Sequence, residues 1–284
     1  MFVSPTVTTV QALAPLRSDP AHGAVLLDVD GTLAPIVERA EDARVPEATR
    51  SVLIELTKHY GLVACVSGRR AQEARQIVAI GSIAYVGNHG GELLAPGATV
   101  TRLLDPALRG WGERVAHFVA EACAGPLRGM RVRQELKGPV VALHWRGASD
   151  EAAAAAALGE VAHSAEAAGL AVHWGRKVLE VRPPVTLNKG LGIAALFADV
   201  SGDSPAGGAP PGDGVRIRTA IYIGDDRTDL DAFAQLRAMV AAGTLDSALC
   251  VAVASDEGPS ELVQQADVRL DGDASVRQLL AALL

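Results

Sequence analysis

The chain has 284 residues, 49% of them hydrophobic and 21% charged, which is ample apolar material for one large or two modest domains and excludes a disordered chain. Lys and Arg total 26 against 33 Asp and Glu, a formal charge of -7 that repels a phosphate backbone and excludes general nucleic-acid binding. Cys65, Cys123 and Cys250 have no paired spacing, so neither a disulfide framework nor a zinc cluster is expected, and a reducing cytoplasm is the expected location. The Ala-rich run 152–158 stops at Gly159-Glu160, too short to span a bilayer, and the N-terminus lacks the basic-then-apolar pattern of a secretory signal. No membrane partner is expected.

In chain order, apolar runs at 24–27, 62–66 and 83–86 alternate with helix-like segments at 46–60 and 70–79. Apolar residues on consecutive positions are the mark of strands covered by helices on both faces, so the rhythm predicts βαβ units in a parallel sheet. At Trp111 the rhythm changes. Trp111, Val115, Phe118, Val119 and Ala122 keep helical spacing, and strand-like runs follow at 130–135 and 139–145. The pattern then repeats: Asp150 caps a helix running to Ala168, and strands at 171–174 and 177–182 flank a Gly175 turn before Pro183-Pro184 ends the last of them. Residues 106–184 therefore read as an inserted α+β unit, and residues 1–105 with 185–284 as one α/β core. The core resumes with a helix at 188–198, a strand at 220–223, a helix at 228–240 and strands at 250–254 and 268–270, six strands in all. Residues 201–214, with Gly or Pro at nearly every second position, read as a surface loop.

The first chemical signal is Leu26-Leu27-Asp28-Val29-Asp30-Gly31-Thr32-Leu33, an apolar strand ending in two acids two residues apart. Extended chain puts both carboxylates on one face, and Gly31 permits a sharp turn. Carboxylates so close repel unless a cation or proton intervenes, which points to a hard metal such as Mg2+, with a plain turn after a strand as the other reading. An EF-hand is excluded, because Leu33 stands where Gly is needed and Arg39 where the bidentate Glu should be.

A second acidic cluster, Gly224-Asp225-Asp226-Arg227-Thr228-Asp229-Leu230-Asp231, also follows an apolar strand and opens a helix. It reads either as helix capping through Thr228 or Asp229, or as the other half of a metal site, since ligands of parallel sheets gather at the carboxyl ends of strands. Ser67-Gly68-Arg69 closes the strand 62–66 and opens a helix, and Lys189 starts another, so strand ends offer hydroxyl, backbone N–H groups and a cation to an anion.

Asp28 to Leu33, Ser67, Lys189 and Gly224-Asp225-Asp226 are similar, in order and spacing, to the four motifs of haloacid dehalogenase superfamily phosphatases. Within that superfamily, Gly87-Asn88-His89-Gly90, Glu135-Leu136-Lys137, His144-Trp145-Arg146, the segment from Gly175 to Pro183 and Asn188-Lys189-Gly190 resemble the trehalose-6-phosphate phosphatase family, the likeness spanning residues 24–234. The resemblance implies a Rossmann-like parallel-sheet hydrolase core with an inserted α+β cap that sets substrate specificity. It implies that Asp28 attacks phosphorus to form an aspartyl-phosphate and that Asp30 protonates the leaving sugar oxygen and later activates water. Mg2+ would be held by Asp28, the Asp30 carbonyl and Asp225, with Asp226 and Asp229 orienting its waters or Lys189. Thr32, Ser67, Gly68, Arg69 and Lys189 are the phosphate-binding candidates. Glu135, Lys137 and Glu180 match the residues that hold the sugar in the family, with Asn88, His89, His144, Arg146, Lys177 and Arg182 as further sugar candidates; a solvated sheet face is the other reading of those in the cap.

The implied activity is hydrolysis of trehalose 6-phosphate, the final step of trehalose biosynthesis, by a cytoplasmic monomer whose partner is a small phosphosugar. Sucrose-phosphate phosphatase, phosphomannomutase and a non-catalytic phosphosugar-binding domain are the alternatives, the last disfavoured because both Asp28 and Asp30 are present. Leu230 departs from the family's usual Glu. Gly190-Leu191-Gly192-Ile193-Ala194-Ala195 fits a relaxed dinucleotide fingerprint but lacks a leading strand. His22, His59, His117 and His163 have no ligand spacing and read as surface or packing residues.

Overall fold

The structure, a computed structural model, describes residues 11–37, 42–104, 106–175, 177–202, 214–255 and 258–284. From the N-terminus, α1 (Ala14–Ser18) leads to β1 (Gly23–Leu27), α2 (Glu47–Leu56), β2 (Leu62–Val66), α3 (Ala71–Val78), β3 (Ala84–Gly87), β4 (Glu92–Leu94) and β5 (Arg102–Leu103). Next come α4 (Trp111–Ala124), β6 (Arg133–Lys137), β7 (Val140–His144), α5 (Glu151–Ala167), β8 (Ala171–Gly175) and β9 (Val178–Arg182). The chain closes with α6 (Lys189–Val200), β10 (Thr219–Gly224), α7 (Asp229–Ala241), β11 (Ser247–Ala254), α8 (Ser260–Gln265), β12 (Val268–Asp271) and α9 (Gly272–Ala281). Two compact units result, one of Met1–Leu104 with Leu187–Leu284 and one of Asp105–Thr186.

The first unit is an α/β layered structure around a sheet of order β12-β11-β10-β1-β2-β3-β4-β5, parallel from β12 to β3. Its strands carry two buried faces. Val25, Leu27, Val63, Cys65, Ile221 and Ile223 pack with Leu53 and Leu56 of α2, Ile77 of α3 and Val276 and Leu279 of α9. Their neighbours Leu26, Ala64, Val66, Ala220 and Tyr222 pack on the other side with Ile193 and Phe197 of α6 and Phe233 and Leu236 of α7. Each such aliphatic side chain contributes about 1.5–3 kcal/mol on burial, which is why runs apolar at every position mark the centre of this sheet. The central strand β1 lies between β10 and β2, in register Leu27↔Ile223 and Leu27↔Cys65, so the chain leaves all three strands side by side.

All six core strands expected from the sequence are present. The structure adds β4 and β5, antiparallel at the β3 edge, too short to show a periodicity. Glu92 of β4 is 5% exposed, and its Oε1 accepts the N–H of Ala71 at 2.7 Å, capping α3 from a distant part of the chain. The expected loop 201–214 lies outside the described residues over 203–213.

The second unit pairs its strands antiparallel in the order β6-β7-β9-β8. One face, Val141, Leu143, Leu179 and Val181, packs on Val115 and Val119 of α4 and Leu158 and Val161 of α5. Helix α5 follows from its Ala run and its cap: the Asp150 carboxylate accepts the N–H groups of Ala152 and Ala153 at 3.0 and 2.9 Å. Strand β6 begins at Arg133 instead of Met130, because Arg131 adopts φ 56 and breaks the extended run. Among the described residues no helix is long and apolar enough to cross a membrane.

Candidate active site

Where β1 ends, the N–H of Asp28 donates to the carbonyl of Ile223 on β10 at 2.9 Å, so the nucleophile candidate is held against the strand that carries the second acidic cluster. Gly31 then turns the chain with φ +80, and a Cβ there would lie 2.0 Å from Oδ2 of Asp225. The glycine is thus what lets the two loops close on one another. Thr32 is fully buried, and its hydroxyl donates to Oδ1 of Asp225 at 3.2 Å, a hydrogen bond within the site in place of the free phosphate donor expected.

Lys189, 2% exposed at the start of α6, donates to Oδ1 of Asp28 at 2.8 Å and to Oδ1 of Asp229 at 2.6 Å. Asp229 is completely buried and saturated. Its Oδ1 also accepts the Tyr222 hydroxyl at 2.6 Å, and its Oδ2 accepts the N–H groups of Asp225 and Asp226 at 2.9 Å each. The N-terminus of α7 therefore has no capping side chain from Thr228. Asp229 instead reaches back to shape the acidic loop.

Asp28, Asp225 and Asp229 each place a carboxylate oxygen within 4.8 Å of the others. Three carboxylates face one ammonium. Burial, opposed by Lys189, leaves the Asp28 carboxyl well above its usual range, and burial with the Asp229 charge pushes Asp225 up to about 7. Lys189 stays above its ordinary value because two carboxylates outweigh its burial. Three clustered, buried carboxylates beside one ammonium leave negative charge to be balanced, and an all-oxygen donor set fits a hard divalent cation. With the Asp229 oxygens filled by four donors, Asp28 and Asp225 are the carboxylates left to hold it.

Asp30, also expected at this centre, turns to Arg69. The guanidinium forks onto it, Nε to Oδ2 and Nη2 to Oδ1 at 2.6 Å each, so Arg69 is engaged with Asp30 instead of standing free for phosphate. Ser67 is 1% exposed, with Oγ accepting the Arg69 N–H at 3.1 Å. The adjacent Asn88 and His89 donate their N–H groups to the carbonyls of Arg69 and Ser67 at 2.8 and 3.1 Å and adopt φ 50 and 53. Asn88 is 2% exposed, yet neither polar atom of its side-chain amide has a hydrogen-bond partner among the described residues, a cost that a bound ligand would offset. Asp226 is exposed and accepts the Arg227 N–H at 2.7 Å. Leu230, in the first turn of α7, is partly buried and packs against the apolar core on this side of the sheet.

In the second unit, the strand register gathers Glu135, Lys137, His144, Glu180 and Arg182 around Ala142 on the face opposite the helices. Oε2 of Glu135 lies 2.7 Å from Nε2 of His144 and 3.8 Å from the Lys137 ammonium. Lys137 lies 3.5 Å from Glu180, which also accepts Arg182 Nε at 3.0 Å. The hydrogen bond from His144, with Lys137 and Arg133 nearby, pulls the Glu135 carboxyl down to about 2. Two sugar candidates fall elsewhere. Lys177 pairs with Glu151 at 2.5 Å, and Arg146 sits in the turn after β7 beside that same glutamate. Arg176 of the same motif lies outside the described residues. Arg133 and His173 join the polar face unanticipated, although counting by twos from Glu135 and Glu180 across the paired strands would have found them.

Residues 26–272 match the trehalose-phosphatase family model. The chain belongs to the trehalose-phosphatase family. Over 218 residues, 75% of this chain, it is 36% identical to a Mycobacterium tuberculosis protein called an uncharacterized glycosyl hydrolase, of which the match covers 15%. The trehalose-phosphate phosphatase of Mycobacterium avium is 32% identical over 226 residues, 76% of this chain and 52% of that protein. The chain thus spans about half or less of the length of these relatives. The C-terminal domain of Candida albicans trehalose-6-phosphate phosphatase shares the family fold, with TM-score 0.69 at 20% identity over 99% of this chain and 98% of that one. The fold is also similar to that of a haloacid dehalogenase-like hydrolase from Bacteroides thetaiotaomicron, with TM-score 0.58 at 13% identity over 92% of this chain and 99% of that one.

Proposed function

We propose that this chain is a Mg2+-dependent phosphatase that hydrolyses trehalose 6-phosphate to trehalose and phosphate, the final step of trehalose biosynthesis. The observation that carries the reading is the buried contact of Lys189 with both Asp28 and Asp229, beside Asp225, at the ends of β1 and β10. A carboxylate can approach a phosphate dianion only where positive charge has been gathered beforehand.

Asp28 attacks phosphorus: its oxygen forms the new P–O bond while the bond from phosphorus to the sugar oxygen breaks. Asp30, once parted from Arg69 and protonated from solvent, gives that oxygen its proton, then takes a proton back from the water whose hydroxyl attacks the aspartyl-phosphate and frees Asp28 and inorganic phosphate. Lys189, the Ser67 hydroxyl and the Gly68 backbone bind the phosphoryl oxygens. Asp28, Asp225 and the Asp30 carbonyl would hold Mg2+, which would neutralise phosphoryl charge. Asp226, next to Asp225, would help to orient the bound ion. The polar face of the second unit, with Glu135, Lys137 and Glu180 foremost, serves as the sugar-holding surface, and the unpaired amide of Asn88 is a further donor and acceptor for the substrate. A disaccharide offers many hydroxyls and little apolar surface, which suits paired charges on a sheet better than an apolar cleft.

The test is phosphate release from trehalose 6-phosphate, glucose 6-phosphate, sucrose 6-phosphate and mannose 1-phosphate, with Mg2+ and with chelator. Trehalose 6-phosphate is expected to be the preferred substrate and chelator to stop turnover; preference for another ester would move the sugar assignment, and undiminished activity in chelator would remove the metal.

A further inference from the structure

Tyr222 lies mid-strand in β10 within the run Ile221-Tyr222-Ile223, and it is fully buried. Its ring meets Phe233 of α7 edge-on, centroids 6.1 Å apart at 82°. For packing alone a Phe would serve. The hydroxyl, however, donates to Oδ1 of Asp229 at 2.6 Å, the oxygen that also accepts Lys189 at 2.6 Å. Burial and the surrounding carboxylates raise the phenol far above its usual pKa, so it remains a donor throughout the working range.

Lys189 thus divides its hydrogen bonds between two acids that differ in how well they are satisfied. Asp229 has four donors; Asp28 receives Lys189 at 2.8 Å. We propose that Tyr222 is a positioning residue whose hydroxyl takes part of the hydrogen-bonding capacity of Asp229 Oδ1 and so keeps the Lys189 ammonium available to Asp28. Without that hydroxyl, Oδ1 of Asp229 has Lys189 alone and draws the ammonium toward itself, away from the attacking carboxylate. The inference rests on the phosphatase reading for its catalytic consequence, but the hold on Lys189 is a property of the network itself.

Tyr222→Phe keeps the ring and its contact with Phe233 and removes one oxygen. In the full chain it is expected to lower kcat about tenfold, the scale of a hydrogen bond to a charged group, with KM for trehalose 6-phosphate within about threefold of the unaltered protein. Phe233→Leu disturbs the same aromatic pair but keeps the hydroxyl, and it should retain kcat. In protein carrying 15N-lysine, the buried Lys189 ammonium resonance should move in Tyr222→Phe. A kcat within twofold of the unaltered chain, an unmoved resonance, or an equal loss in Phe233→Leu would overturn the proposal. If the unaltered chain released phosphate from no ester, the phosphatase reading would fall, while the resonance would still decide whether Tyr222 governs Lys189.

Discussion

Asp28→Asn is expected to release phosphate from trehalose 6-phosphate at least about a thousandfold more slowly than the unaltered chain, because the amide cannot attack phosphorus and no other carboxylate stands in its place. Folding should survive. Asp28 is 4% exposed, and burial lifts its carboxyl well above the usual range, which means that its charge opposes folding more than it helps. An uncharged side chain of the same shape relieves that opposition, and Lys189 keeps Asp229 as its partner. Denaturant unfolding beside the phosphate assay separates the two effects. Retained turnover would assign the nucleophile elsewhere; lost turnover together with lost folding would show that Asp28 is structural.

Asp229→Ala should fail in the opposite way, by losing structure and activity together. Removing this side chain takes from the buried Lys189 ammonium one of its two carboxylate partners and leaves a buried phenol and two backbone N–H groups without their acceptor. Breaking one side of a buried ion pair costs about 3–5 kcal/mol, and the freed N–H groups of Asp225 and Asp226 add to it. The acidic loop then loses the anchor that fixes Asp225. A denaturation midpoint unchanged by this substitution would contradict the central place of Asp229. So would phosphate release within tenfold of the unaltered chain.

How much of this is legible in the sequence depends on the kind of signal each residue leaves in the chain. Asp28 and Asp225 announce themselves because a charged residue at the end of a wholly apolar run has no packing explanation, and the parallel-sheet rule says where such ends meet, whereas Lys189 shows only as a cation at the start of a helix. Tyr222 left no such mark, since a tyrosine inside an apolar strand reads as core, and in most of its atoms it is core. The engagement of Arg69 with Asp30 was equally hidden: a guanidinium in a phosphate-like loop looks free until its partner, 39 residues away, is placed beside it.

The polar face of the second unit was half legible. Alternation within a strand told which residues share a side; Lys177, an odd number of positions from Glu180, precedes the strand at φ 59 and does not belong to that face. The relaxed glycine fingerprint also resolves physically. Gly190 and Gly192 lie inside α6, where a Cβ would meet the Asp231 carbonyl at 2.5 Å and Gly90 Cα at 2.6 Å, so they serve close packing of the helix on its neighbours. Of the isolated histidines, His22, His59 and His117 sit beside Asp19, Glu55 and Glu121 close by in the chain, as surface ion pairs do.

The most direct measurement is rapid acid quenching of the enzyme during turnover of trehalose 6-phosphate, followed by peptide mass analysis for a covalently bound phosphoryl group. The phosphoryl mass should be found on the peptide containing Asp28, at its carboxylate, and should vanish when substrate is exhausted. A phosphoryl group carried by any other residue, or a protein that turns over at full rate and is never phosphorylated, would contradict the assignment of Asp28 as the attacking group.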